Sequence, residues 1–234
     1  MRLDVLKAMN AARRERKAGV MVTRFADGDQ RFVEPSGFAA DPLGESLDAA
    51  LRTGKSGIVA VDGVDHFLTV QAPSPRLTLV GAVHISQALA PMARIAGLDV
   101  TVIDPRTAFA TPERFPETPV VAEWPDEAFA KAPPDRSTAV CLLTHDPKID
   151  DPALALALEA DCFYIGALGS KKTHARRIER MRARGFDDAA LARIHAPIGL
   201  DIGAVSPAEI AVSIIGEIVA AMRRKPLRSE GRTP

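Results

Sequence analysis

The chain has 234 residues, 47% hydrophobic and 26% charged, with Lys+Arg and Asp+Glu both at 30. That length allows one substantial core plus a smaller companion domain, and a zero net charge gives no global pull toward nucleic acid or an anionic membrane. No run of about 18 apolar residues exists, so no membrane span is expected, and Cys141 and Cys162 are too few for a disulfide framework or a paired zinc site.

The opening stretch, MRLDVLKAMNAARRERK, is charged throughout and has no apolar h-region, so no signal peptide is expected and the chain reads as cytoplasmic. Residues 1–72 read as a small α+β domain. Leu3, Leu6, Met9 and Ala12 stand at helical spacing and predict a first helix. GVMVTRFADGDQRFV predicts a hairpin turning at Asp27-Gly28, residues 43–54 a helix, and GIVAVDGVDHFLTV a second hairpin turning at Asp62-Gly63. An Asp-Gly pair between alternating strands supplies the positive-φ positions that a tight hairpin turn needs. APSPR, residues 72–76, reads as a linker.

Over residues 77–225 strands and helices alternate, which predicts an α/β, Rossmann-like domain with a doubly wound parallel sheet. Strands are expected near 77–81, 99–104, 119–122, 138–144 and 161–165. The helix after the first strand carries an apolar stripe of Ile85, Ala88, Leu89, Met92, Ile95 and Ala96, with Pro91 expected to kink it. Asp151-Pro152 predicts the start of the next clear helix, as cap and first-turn proline. Cys141, within the fourth strand, and Cys162, opening the fifth, read as small buried hydrophobes. Ser206-Pro207-Ala208-Glu209 is a capping box that opens a last helix over roughly 207–225, and residues 226–234 read as a disordered tail.

In a sheet of order 3-2-1-4-5, ligands sit at the carboxyl ends of the strands near the reversal of strand order. Three loops then converge: GAVHIS after strand one, THDPKID after strand four and GALGSKK after strand five. They bring His84, His145, Asp146, Asp150, Ser170, Lys171 and Lys172 to one edge. The first loop is a damaged dinucleotide fingerprint, with Gly81, Val83 and Ser86 where three glycines belong and Asp104, 23 residues on, where an acidic residue would hold a ribose hydroxyl. Val83 is β-branched where a pyrophosphate needs close backbone approach, so an NAD(P) site and a turn kept only for folding both stand as readings.

GALGSKK joins Gly166, Gly169, Ser170, Lys171 and Lys172 to a helix start, where unpaired amides favour an anion. The helix that follows holds seven Lys/Arg against one Glu between Lys171 and Arg184, which reads either as a phosphate or acidic-partner contact or as a solvated face. His145, Asp146 and Asp150 offer metal ligation or proton transfer, against a structural reading in which Asp146 orders its loop and Asp151 caps a helix. His195 reads as a satisfied buried histidine in a glycine-rich segment, residues 195–207, that adds a strand or a crevice wall.

DPRTAFATPERFP, THDPKIDDPAL, YIGALGSKKTHARR and HAPIGLDIGAVSPAEIAVSI together resemble the C-terminal Rossmann domain of the XdhC/CoxI family, the xanthine dehydrogenase accessory proteins, over roughly residues 77–223. The resemblance implies an accessory factor rather than an enzyme. It would bind molybdenum cofactor (molybdopterin) as cargo, protect it during sulfuration, and help insert it into a xanthine dehydrogenase-type molybdenum hydroxylase. It also implies a homodimer and contact with a cysteine desulfurase. The candidate cofactor-binding residues are Gly81, His84, Asp104, His145, Asp146, Gly166, Gly169, Ser170, Lys171 and Lys172, with no catalytic residue and no assigned metal ligand.

Two stretches depart from the family pattern. The first turn reads Gly81-Ala82-Val83-His84 where the family often shows G-A-G-H, and residues 1–72 contain neither an S-G-G-C loop nor any cysteine. A divergent paralogue, or a protein that works beside a separate N-domain protein, accommodates the second departure. The alternatives are an NAD(P)-dependent oxidoreductase, favoured by Asp104 and opposed by Val83, and a non-binding scaffold that meets partners through its basic helix.

Overall fold

The structure is a computed structural model, described over residues 1–223. The tail expected at 226–234 lies outside the described residues. The described chain falls into two compact units, one of residues 1–73 and one that begins at Ser74.

The first unit contains α1 (Leu3–Arg14), β1 (Gly19–Arg24), β2 (Gln30–Val33), a 3-10 turn at Pro35–Ala40, α2 (Gly44–Thr53), β3 (Gly57–Val61) and β4 (Val64–Gln71). Its strands form an antiparallel sheet in the order β2-β1-β4-β3. Both expected hairpins are present. At the second, Asp62 and Gly63 take φ of 52° and 74°, the two left-handed positions that a primed turn demands. Val20, Val22 and Leu68 on the sheet pack with Phe38, Leu43 and Leu47. The first helix forms, but its inner face is rotated from the expected one: Val5, Met9 and Ala12 are buried, while Leu3 and Leu6 are 65% and 41% exposed. Val5 and Met9 meet Met21 and Phe32, so the i, i+4, i+7 row through Val5 fits the sheet better than the row through Leu6.

The second unit contains β5 (Arg76–Val80), α3 (His84–Ile95), β6 (Asp99–Ile103), β7 (Val120–Val121), α4 (Pro125–Lys131), β8 (Thr138–Leu142), α5 (Pro147–Glu159), β9 (Tyr164–Ala167), α6 (Lys171–Ala183), α7 (Asp188–Leu191), β10 (Ile194–His195) and α8 (Pro207–Arg223). The sheet is wholly parallel and runs β10-β9-β8-β5-β6-β7, which is the expected doubly wound order with one added edge strand. Helices cover both faces. One face packs Leu77, Leu79, Val102 and Cys141 against α3 and α8. The other packs Val80, Val140, Leu142 and Ile165 against α4, α5 and α6. Burial on both faces explains why β8 reads as a continuous apolar run, TAVCL, rather than an alternating one.

Three local expectations are corrected. The buried seam of α3 is Ser86, Leu89, Ala90 and Ala93, while Ile95 is 89% exposed. The small residues lie toward the core because α3 packs along α8, and short side chains let two helix backbones approach. The helix runs unbroken through Pro91, which faces solvent. The helix expected to open at Asp151 opens five residues earlier, with Asp146 as cap and Pro147 in the first turn. Asp151 is therefore interior and 3% exposed, held by Arg180 with Nη2 to Oδ1 at 2.9 Å. The fifth strand starts at Tyr164, so Cys162 lies before it in a buried turn.

Candidate functional site

The carboxyl edge of the sheet gathers the turn after β5, the loop after β8 and the loop after β9. The turn after β5 is tight. Gly81 takes φ 116°, and a Cβ there would stand 2.8 Å from Thr144 Cγ2, so only glycine fits against the next loop. Ser86 stands in for the third glycine and ties the turn down, donating from Oγ to the Gly81 carbonyl at 2.5 Å. Val83 takes the cap position without a side-chain bond and leans on the core.

Asp104 closes this turn from the end of β6. Its Oδ2 accepts from Ala82 N at 2.8 Å and Arg106 Nη2 at 2.7 Å, and its Oδ1 accepts from Arg106 N and Nε, both at 2.9 Å. Burial pushes this carboxyl up, but the Arg106 bonds and the two amides outweigh it and hold it below the ordinary range. Four donors fill about all the acceptor positions a carboxylate has. The residue is fully buried, so no oxygen is left to hold a ribose hydroxyl. The segment after β6 folds back over the turn as well: Arg114 Nη1 donates to the Ala82 carbonyl at 2.9 Å. Gly81 and Asp104 thus form a closed, self-satisfied turn. Val83→Gly is accordingly expected to leave NAD(P)H unbound in a fluorescence titration, since the cradle amide is taken by Asp104; saturable binding by the variant would refute this account.

The loop after β8 is built around Thr144. Its hydroxyl donates to Asp150 Oδ1 at 2.6 Å and accepts from Asp146 N at 3.0 Å. His145 takes φ 63° between them and stands exposed. Asp146 accepts from Lys148 N at 2.9 Å, the N-cap bond of α5. The ordering role of Asp146 explains its type without a ligand. Among the described residues no three His, Cys, Asp or Glu side chains cluster to hold a metal.

The loop after β9 splits its candidates. Gly166 lies within the strand, where a Cβ would strike Ile198 Cδ1 at 2.5 Å and Tyr164 Oη at 2.7 Å. It is a packing glycine, and placing it in the anion loop is corrected by the later start of β9. Gly169 takes φ 132° against Thr173. Ser170 caps α6, accepting from Thr173 N at 3.2 Å. Lys171 and His84 open their helices in solvent.

Two of these loops meet in one cleft. His145, Pro147 and Asp150 line it from the α5 side, and Lys172, Thr173, Arg176, Arg177 and Arg180 from α6, around about 390 Å³. His84, Asp146, Ser170 and Lys171 lie outside that lining. At its floor Arg177 and Asp150 are each 2% exposed. Arg177 Nη2 donates to the Leu168 carbonyl at 2.9 Å, while its Nε and Nη1 have no partner. Burial pulls this guanidinium down, against the pull of Asp150 and Asp151. Asp150 Oδ2 is also without a partner, and burial pushes its carboxyl up. Sequence reasoning missed Arg177. The signal was present: Arg177 and Met181 are i, i+4 on the core side of α6, so one of the seven basic residues had to be buried.

A second cavity, about 480 Å³ beside α4, reaches the amino ends of β5, β6 and β8, away from the edge where such sheets bind ligands. A further polar cluster ties the last helix to the edge strands. Glu217 accepts from Tyr164 Oη at 2.6 Å and Gly199 N at 2.8 Å, and pairs with His195 Nδ1 at 2.9 Å. Burial pushes Glu217 up, but these three bonds, the phenol first, hold it below the ordinary range. His195 is thus a satisfied, partly buried histidine on an added strand.

Comparison with known proteins places the domain. Residues 77–218 match the XdhC Rossmann domain. The chain is 30% identical over 187 residues to the molybdenum cofactor insertion chaperone PaoD of Escherichia coli, covering 80% of this chain and 51% of that one. It is 31% identical over 153 residues to a probable xanthine dehydrogenase subunit of Bacillus subtilis, covering 65% and 44%. The chain thus spans about half the length of these relatives. A crystal structure from Bacillus halodurans, described as a xanthine dehydrogenase, shares the fold at a TM-score of 0.65 and 22% identity, over 96% of this chain and 66% of that one. By its Rossmann domain, the chain belongs to the XdhC family.

Proposed function

We propose that the protein is a molybdenum cofactor-binding maturation factor that assists sulfuration of the cofactor and its insertion into a xanthine dehydrogenase-type hydroxylase. The observation that carries this reading is Arg177, whose Nε and Nη1 have no partner at the floor of a basic cleft, in a domain shared with a relative named as a molybdenum cofactor insertion chaperone. The cargo is a pterin with a dithiolene and a terminal phosphate. A cleft rich in fixed N–H donors suits the phosphate, and His145 at its rim suits the polar pterin edge. Holding such a cargo asks for donors and shielding rather than for an activated nucleophile. Both cysteines agree with that: burial pushes the Cys162 thiol up to about 12 and the Cys141 thiol higher still, so neither supplies a thiolate.

A homodimer, a cysteine desulfurase as partner and a cytoplasmic location belong to the same reading. Exposed Leu200, Ile202, Val205 and Val212, on α8 and the segment before it, offer apolar surface for a second copy. The test is a calorimetric titration of the purified protein with molybdenum cofactor, molybdopterin and NAD(P)H side by side. Binding of the pterins alone is expected. Binding of the nicotinamide alone would overturn the reading and return attention to the turn after β5.

A further inference from the structure

We propose that the cleft between α5 and α6 is a phosphate-monoester site that selects phosphate over sulfate, with Arg177 as its buried clamp and Asp150 as the acceptor of a phosphate hydroxyl. The first part of the argument is the unmet demand at the cleft floor. A guanidinium presents five N–H donors, and Arg177 makes a bond from Nη2 to the Leu168 carbonyl while Nε and Nη1 stay empty. Nε and Nη1 lie on opposite sides of the Nη2 arm in the guanidinium plane, and each is a charged N–H donor able to bind an anion oxygen. Leaving those two donors buried and bare is costly, and ligand oxygens relieve the cost.

Charge around these donors points the same way. Arg180 is neutralised by Asp151, but Lys172 and Arg176 stand exposed beside the cleft, and among the described residues neither is paired with a carboxylate. They extend the field of the α6 N-terminus, which already favours an anion.

Asp150 supplies the selectivity. A carboxylate facing an anion site repels a ligand that only accepts hydrogen bonds. Asp150 Oδ1 is taken by Thr144, and Oδ2 is buried with no donor in reach. A phosphate monoester has its second pKa near 6, so about a tenth of it carries a proton at pH 7, and the site binds that fraction. That P–OH can donate to Asp150 Oδ2 while the remaining oxygens accept from Arg177. Sulfate carries no proton, so it enters only if Asp150 first takes one from solution. A donor-rich floor with one unpartnered carboxylate oxygen is thus a filter for protonated oxyanions. The cleft volume, about 390 Å³, also leaves room for part of the group the phosphate is attached to. If the cargo is the molybdenum cofactor, which rests on the function proposed above, the site holds the phosphate at the end of its pterin side chain.

The test is calorimetry on the full chain at pH 7 with glycerol phosphate and with sulfate at matched ionic strength. Glycerol phosphate is expected to bind at least about tenfold tighter than sulfate. Lys172→Gln with Arg176→Gln, both at the surface, is expected to weaken it about tenfold. Asp150→Asn, which keeps the Thr144 bond, is expected to bring the phosphate-to-sulfate ratio close to one. No saturable binding of glycerol phosphate, equal affinity for the two anions, or a ratio unchanged in Asp150→Asn would each overturn the assignment. Molybdopterin titrated against the same variants separates the two readings. If glycerol phosphate fails those criteria while molybdopterin binds wild type, the phosphate site is refuted and the cargo reading stands. If glycerol phosphate binds selectively and the pterin does not bind, the site stands and the cargo reading falls.

Discussion

Glu217→Ala is expected to lower the unfolding free energy by about 3 kcal/mol, because it leaves buried polar groups without partners at roughly 1–3 kcal/mol each. The Tyr164 hydroxyl loses its acceptor in a residue only 1% exposed, and the Gly199 amide and the His195 ring lose theirs. Glu217→Gln keeps one carbonyl oxygen and is expected to cost about half as much. Urea unfolding at pH 7 checks this, with an unchanged m-value showing that the same surface is exposed. Loss of less than about 1 kcal/mol in the alanine variant would mean that water replaces the carboxylate and that the cluster does not brace α8 against β9 and β10.

Glu217 also shows where sequence reading stops. It lies in the last helix among Ile214, Ile218 and other apolar residues, and nothing in its neighbours marks it as a hub. Its partners lie 18, 22 and 53 residues away along the chain. What local pattern specifies was legible. Asp62-Gly63 gave its hairpin, Ser206 and Glu209 their capping box, and alternating strands and helices the parallel sheet. Where two local signals compete, the outcome depends on packing. Asp146-Pro147 and Asp151-Pro152 are both plausible helix starts, and the first wins because Ile149, Ala153 and Leu154 then reach the core while Asp151 meets Arg180. The α3 stripe holds at Leu89, with Ile85, Ala88 and Met92 packed against the core, and fails at Ile95 and Ala96 for a related reason: close contact with α8 favours Ala90 and Ala93. The cleft was legible only in part. Lys172, His145 and Asp150 follow from loop order, whereas Arg177 is hidden in a charge run whose ordinary reading is a solvated face.

Asp104→Ala is expected to cost about 3 kcal/mol as well, and to change how stability depends on pH. The Ala82 amide is left buried without an acceptor, and Arg106 loses both its ion pair and its own backbone acceptor. Asp104 and Glu217 both titrate below their ordinary values of 3.8 and 4.5 in the folded protein. The stability they supply is therefore fully present above those values and lost as pH falls through the lower folded ones. Wild-type stability should fall below about pH 4, and the fall should be shallower in Asp104→Ala, because one of the carboxyls that drive it is gone. Chemical denaturation at pH 7 and across the acid range measures both effects. An acid limb as steep in Asp104→Ala as in wild type would mean that other carboxyls govern the acid transition. The same variant tests whether Asp104 keeps a nucleotide out. Arg106 and Arg114 anchor the segment after β6 over the Gly81 turn, and removal of Asp104 frees the first anchor and the Ala82 amide together. If the turn is closed only by that carboxylate, the variant gains a measurable affinity for inorganic phosphate that survives Lys172→Gln with Arg176→Gln; if Arg114 and Val83 also hold it shut, it gains none.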